Sequence, residues 1–165
     1  MVFNVFQEYA RSGAVERLYI ISHEMLRETL GEIPITNFED KLYEQAAMAY
    51  HMISVLKNGA AVYENILPDL ETARLTTIGM SSIDNDDEAL FYNLEYPIEK
   101  AYYYLIPKEM LDTDTKLMNK IMKQVKRKSE GGKIKISFAV HESQYDEPYV
   151  YVVSSSSMIQ GIDII

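Results

Sequence analysis

The sequence predicts an α+β fold, with helices and strands segregated along the chain rather than alternating. Three observations carry this. Residues 1–67 place apolar side chains at helical spacing. Residues 74–155 hold runs of alternating or β-branched and aromatic residues. One strongly amphipathic segment, 113–128, interrupts those runs. The expected architecture is an N-terminal helical layer beside an antiparallel sheet of about five strands, with the 113–128 helix packed on one face. The order is α-α-β-β-β-α-β-β. Residues 1–165 read as one domain, 1–67 its helical part and 74–165 its sheet plus helix.

Ser12 and Gly13 separate a short helix around 3–11 from a longer one. The longer helix spaces Val15, Leu18, Met25, Leu26 and Leu30 on one stripe, and Gly31 is placed to end it as a C′ residue. Pro34 lies in the link. Thr36 or Asn37 can cap the next helix, and Glu39 and Asp40 suit its positive first turn. Leu42, Ala46, Ala49, Tyr50 and Ile53 form its apolar stripe and Asn58-Gly59 closes it, which predicts an antiparallel helix pair.

Pro68-Asp69 marks a break. RLTTIGMSSI at 74–83 reads as a strand, DNDDE at 84–88 as a polar hairpin tip, and AYYYLI at 101–106 as a further strand. Leu90, Tyr92, Leu94 and Tyr96 alternate on one face between them, so 86–105 reads either as strands or as a helix broken at Pro97. The 113–128 helix can be capped by Asp112 or Asp114, carries Lys126, Arg127 and Lys128 at its negative end, and stops at Gly131-Gly132. Ile134, Ile136, Phe138 and Val140 alternate in the next strand, and Tyr149, Tyr151 and Val153 in the last. ESQYDE at 142–147 supplies a turn. The tail MIQGIDII reads as a short strand or an apolar segment laid on the sheet.

Charge is segregated. Residues 108–135 hold nine cations against Glu109, Asp112, Asp114 and Glu130, a net +5; the other residues carry −14, which gives −9 for the chain. At about 100° per residue, Leu117, Met118, Ile121, Met122 and Val125 fall in one wedge and the cations on the other side. Lys116, Lys120, Lys123 and Arg127 are therefore the candidate contacts to phosphate or an acidic partner. The acidic body opposes a general nucleic-acid coat and admits nucleic acid only as a weak partner.

Hydrophobic residues make up 47% of the 165, enough for a packed core. Cysteine is absent, which removes disulfides, thiolate metal sites and thiol nucleophiles and points to a reducing compartment. The opening MVFNVFQEYAR lacks a cationic n-region, and no run approaches the roughly 18 apolar residues of a membrane span, so the expected location is the cytoplasm, with no membrane partner.

Chemistry-bearing motifs are sparse. Asp84, Asp86, Asp87 and Glu88 lack EF-hand spacing. His23, His51 and His141 belong to no ligand pattern, and no glycine-rich phosphate loop or G-x-S-x-G occurs. No catalytic residue, metal site or cofactor is assigned, and the balance is against an enzyme. Thirteen tyrosines without a tryptophan suit a protein interface. Strand alternation and the turn offer Tyr102, Tyr104, Tyr145, Asp146 and Glu147 as partner contacts. The expected function is a small acidic interaction module, an inhibitor or immunity-like protein that binds a basic partner. The alternatives are a nucleic-acid accessory protein acting through 116–128 and a small metal-dependent hydrolase built on His141. A protein partner is expected and a homodimer is compatible.

Overall fold

The structure, a computed structural model, describes residues 2–30 and 32–161. In chain order the elements are α1 (Val2–Ser12), β1 (Leu18–Tyr19), α2 (His23–Thr29), α3 (Phe38–Asn58), β2 (Tyr63–Asn65), β3 (Leu75–Ser81), β4 (Glu88–Leu90), β5 (Glu99–Pro107), α4 (Lys108–Thr113), α5 (Leu117–Lys128), β6 (Lys135–Ser143) and β7 (Tyr149–Ser156).

The sheet is mixed, not antiparallel, and has seven strands in the order β1-β3-β7-β5-β6-β2, with β4 paired to β3 off that path. Two neighbouring pairs, β1–β3 and β5–β6, are parallel. Parallel neighbours require a crossover of a dozen or more residues, and α4 with α5 supplies it between β5 and β6. The sequence expectation failed here because the short link between β6 and β7 resembles a hairpin turn. These two strands do not pair: β5 lies between them, parallel to β6 and antiparallel to β7. Every β5 residue except Lys100 and Ala101 is buried, which fits a central strand covered on both faces.

Alternation along β5 divides the core. Tyr102, Tyr104 and Ile106 face one side, with Phe138, Val140, Val150 and Val152, and are covered by Leu117 and Ile121 of α5. Tyr103 and Leu105 face the other side and meet Leu42, Ala46, Ala49, Ile53 and Leu56 of α3. Helices therefore lie on both faces, where one helix on one face was expected.

Local differences have physical causes. The expected long first helix is broken: Leu18 and Tyr19 pair with Leu75 and Thr76 as an edge strand, and only the seven residues of α2 remain helical. Ser22 caps α2 by accepting from the Met25 N–H at 3.4 Å. Asn37 takes the N-cap of α3 in a left-handed conformation, φ 57°, and its side chain makes no capping bond. The strand expected at 89–96 ends at Leu90, and Tyr96 has φ 50°. The helix expected over 113–128 starts later, as α5 at Leu117, and a separate short helix, α4, precedes it; Asp114 Oδ1 accepts from the Lys116 N–H between the two.

Gly79 explains how β4 docks. A Cβ there would sit 2.3 Å from the Ala89 carbonyl oxygen, so only glycine admits the crossing backbone. The chain ends are tied by buried side chains: Gln7 Nε2 donates to the Gln160 carbonyl at 3.1 Å and Gln7 Oε1 accepts from the Gln160 N–H at 2.7 Å. Gly31 and residues 162–165, on which a helix stop and part of a last strand were expected, lie outside the described residues. Among the described residues no helix is long and apolar enough to cross a membrane.

Candidate functional site

The basic helix is the first candidate. Once per turn α5 turns Leu117, Ile121, Gln124 and Lys128 toward the sheet, and all four are buried. Met118 and Met122, expected on that side, are exposed. Gln124 is fully satisfied: Oε1 accepts from the Tyr104 hydroxyl at 2.8 Å, and Nε2 donates to the carbonyls of Ser82 at 2.7 Å and Asn85 at 2.6 Å. One buried amide thus fixes the acidic loop against the helix.

Ion pairs complete that contact. Lys120 meets Asp84 at 2.6 Å, and Arg127 grips Asp86 with two bonds of 2.7 and 3.1 Å. The arginine hydrogen bond, ahead of all other influences, holds the Asp86 carboxyl below its ordinary pKa. Deeper in, the Lys128 ammonium donates to Glu88 at 3.0 Å and lies 5.1 Å from the centre of the Tyr102 ring. Glu88 also accepts from Lys100 at 2.7 Å and from the Tyr102 hydroxyl. Burial opposes ionisation of Glu88, but these donors outweigh it and its pKa falls below the usual carboxylate value. Burial first, and then the Glu88 bond, pushes the Tyr102 phenol well up.

The hairpin tip at 84–88 is therefore both a solvated end and a counterion for α5, through Asp84, Asp86 and Glu88. Of the nine cations in 108–135, Lys108, Lys120, Arg127, Lys128 and Lys135 have carboxylate partners. Among the described residues Lys116, Lys123, Lys126 and Lys133 have none and are exposed. The expected phosphate contacts split accordingly: Lys120 and Arg127 are occupied, while Lys116 and Lys123 remain open.

The expected partner contacts split as well. Tyr102 and Tyr104 are fully buried under α5 and bonded to Glu88 and Gln124, so they cannot meet a partner. Alternation assigned them to one face correctly but could not show that a helix covers it. Tyr145, Asp146 and Glu147 are exposed in the β6–β7 link, with Tyr145 edge-on to Tyr149 at 5.3 Å. The structure does not bring the two groups into one surface.

His141, the basis of the hydrolase alternative, is buried in β6 with its ring 6.4 Å from that of Tyr103. Its Nε2 finds no hydrogen-bond partner among the described residues, and burial lowers its pKa. A cleft of roughly 150 Å³ opens between the C-terminal half of α3 and the sheet. Part of its polar lining is engaged: Arg17 with Asp69, Thr76 and Ser155, and Glu99 with Lys135 and the Leu70 N–H. Burial pushes the Tyr103 phenol in this cleft up to about 12.

The second candidate surface is the outer side of α3. Tyr43, Met48, Tyr50 and Val55 are 46–58% exposed. Asp40, Glu44 and His51 lie among them, and His23 of α2 bonds to Glu39 at the helix start. Tyr50 packs edge-on against Tyr19, with ring centres 5.0 Å apart. Sequence periodicity located Leu42, Ala46, Ala49 and Ile53 on the inner stripe of α3, but Tyr50, which it also placed there, is exposed, and Tyr43, Met48 and Val55 were the signal it left unread.

The fold has solved neighbours. The GTPγS-form protofilament of TubZ from Bacillus thuringiensis serovar israelensis aligns at 13% identity and a TM-score of 0.63, over 96% of this chain and 48% of that one. A four-stranded TubZ filament aligns at 14% and 0.58, over 93% and 47%. CetZ from Methanosaeta thermophila aligns at 16% and 0.56, over 87% and 44%. The chain spans about half the length of the structures it matches. No protein-family model matches it, and no curated protein does. At these identities the likeness is one of fold, a tubulin/FtsZ-like one. It corrects the expectation of an inhibitor or immunity-like protein, together with the nucleic-acid and hydrolase alternatives.

A guanine nucleotide, such as the first neighbour's GTPγS, calls for backbone N–H groups gathered at a glycine-rich loop that opens a helix. The glycine pair of this chain, Gly131-Gly132, follows α5 and has positive φ at both positions. The described residues do not fit such a cradle.

Proposed function

We propose that this chain is a self-associating module of a filament-forming protein with the TubZ and CetZ fold, working in the cytoplasm. The observation that carries the reading is α3, a helix whose inner stripe already packs on the sheet and which also exposes Tyr43 and Tyr50 along one edge of its outer face and Met48 and Val55 along the other. Large exposed apolar side chains grouped on one element mark an association surface. The neighbours solved as protofilaments and filaments support it, since almost the whole of this chain aligns within them. The absence of cysteine supports a reducing compartment.

Association in this reading is between copies and needs no chemistry from the chain. Light scattering of the purified chain against concentration, with negative-stain microscopy of the same samples, tests it. Scattering that climbs with concentration and elongated particles are expected. A chain that stays monomeric at every soluble concentration refutes the reading.

A further inference from the structure

We infer that the face of the sheet covered by α1 and α5 docks on an anionic lipid surface, with apolar side chains of α1 entering the headgroup layer and lysines of α5 meeting the charged headgroups. The inference goes beyond self-association and stands apart from it, because the side chains that carry that reading belong to α3, on the other face. The sequence expectation of no membrane partner rested on the lack of a span. A surface contact needs no spanning helix, so the absence of one among the described residues leaves it open.

The two helices share a face. In the ladder of β3 with β7, Leu75 opposes Ser156, Gly79 opposes Val152 and Ser81 opposes Val150. Alternation therefore turns Leu75 to the side of Val150 and Val152, which is the α5 side. Ala10 and Phe3 of α1 belong to the cluster around Leu75, and Gln7 holds α1 down through its two buried bonds to Gln160. At about 100° per residue, Val2, Val5, Phe6 and Tyr9 fall within a wedge of about 100°, turned away from Phe3, Gln7 and Ala10. All four are 45–69% exposed, a stripe of large apolar side chains that nothing in the described chain covers.

Helix α5 supplies the charge. Residues 116–128 hold six cations and no acid. The 84–88 tip pairs with Lys120, Arg127 and Lys128, which leaves Lys116, Lys123 and Lys126 exposed beside Met122. Binding at a lipid surface scales with buried apolar area plus attraction to anionic headgroups, and this face offers both. The opposite face repels the same surface: residues 23–44, on and around α2 and the start of α3, expose Glu24, Glu28, Glu32, Glu39, Asp40 and Glu44 against the two cations Arg27 and Lys41. The charge asymmetry across the sheet orients the chain with α5 toward an anionic plane. A nucleic-acid duplex would use the lysines and leave the α1 stripe in water, so a lipid surface is the partner that satisfies both helices.

Vesicle flotation of the full chain tests this, and it reads lipid binding whether or not copies associate. Vesicles of phosphatidylglycerol and phosphatidylcholine in equal parts should bind the wild-type chain at low salt at least about tenfold better than phosphatidylcholine alone, and high salt should weaken the binding. Lys123→Gln with Lys126→Gln should weaken it about 25-fold, since each lysine at such a surface is worth about fivefold. Val5→Gln with Tyr9→Gln should weaken it at least about tenfold through lost apolar contact. Circular dichroism melts establish that both variants stay folded. Phe6→Trp gives a second readout, because the chain has no tryptophan of its own: its emission should shift to the blue on the mixed vesicles and be quenched by brominated acyl chains. If either paired variant unfolds, the tryptophan reading decides. No binding by the wild-type chain at low salt, or binding that both folded variants retain, overturns the inference. Loss in the lysine variant alone, or equal binding to a DNA duplex, would reduce the contact to a polyanion site, and loss in the α1 variant alone would remove α5 from it; each overturns the two-helix surface.

Discussion

Replacing Glu88 with alanine should be among the most damaging single changes on the surface of this chain, although the residue opens β4 directly after a loop of ordinary acidic side chains. Glu88 is the common acceptor for Lys128, Lys100 and the Tyr102 hydroxyl. The Lys128 and Lys100 side chains are only 5% and 13% exposed, so removal of the carboxylate strands two poorly hydrated ammonium groups and a buried phenol. Breaking a buried pair from one side costs about 3–5 kcal/mol. The Glu88 side chain is 15% exposed, so water reaches the site and the lower end, about 3 kcal/mol, applies. For a chain of this size that is a fall in Tm of about 6–12 °C. Asp84→Ala is the control: its pair with Lys120 is open to water on both sides and should change stability by less than about 1 kcal/mol. Urea unfolding at neutral pH, read as a shift in midpoint at unchanged m-value, measures both. The pH dependence adds a sign. The folded pKa of Glu88 lies below its ordinary 4.5, so the unfolded chain takes the proton first as pH falls. The gap between wild type and Glu88→Ala should therefore be full above about pH 4.5 and shrink as pH drops through the folded value. A Glu88→Ala chain no less stable than Asp84→Ala would refute the account of the α5 clamp.

Ile121→Ala removes a side chain 1% exposed in the α5 core and should cost about 2–5 kcal/mol, whereas Lys123→Ala should stay within about 0.5 kcal/mol; thermal melts compare them. Gly79→Ala drives a Cβ into the Ala89 and Leu90 backbone and should detach β4, read as faster amide exchange at 88–90 and a loss of about 1–3 kcal/mol. His141 has a folded pKa below 6.5, so the unfolded chain gains the proton first and stability should decline as pH falls below about 6.5. The stability–pH profile of His141→Leu should be flatter in that range, and an unchanged profile would mean that the histidine is protonated in place.

The sequence was readable where one element reports on itself. β-Branched and aromatic runs place strands at 75–81 and 99–107, and period two places them at 135–143 and 149–156, within a residue or two of the predicted runs; period 3.6 finds Leu117 and Ile121 on the buried side of α5. It was unreadable where the answer depends on a distant partner. Nothing within 142–147 tells that β6 and β7 straddle β5, since a short polar link serves a hairpin and a skipped strand equally. Leu18 fits a helical stripe and became an edge strand because Leu75 and Thr76 offered it a backbone to pair with. Lys128 and Gln124 read as surface residues, yet each is buried because a loop some 40 residues earlier brings the carbonyls and the carboxylate that satisfy it. The same loop hid the fate of the basic face, because charge counting cannot tell an internal counterion from an external one.

Sedimentation velocity of the wild-type chain over a wide concentration range tests the central claim most directly. Filament-type self-association predicts a weight-average sedimentation coefficient that keeps rising with concentration past the value for a dimer. A coefficient that stays at the monomer value throughout would contradict self-association, and one that levels off at a dimer would contradict a filament-forming contact.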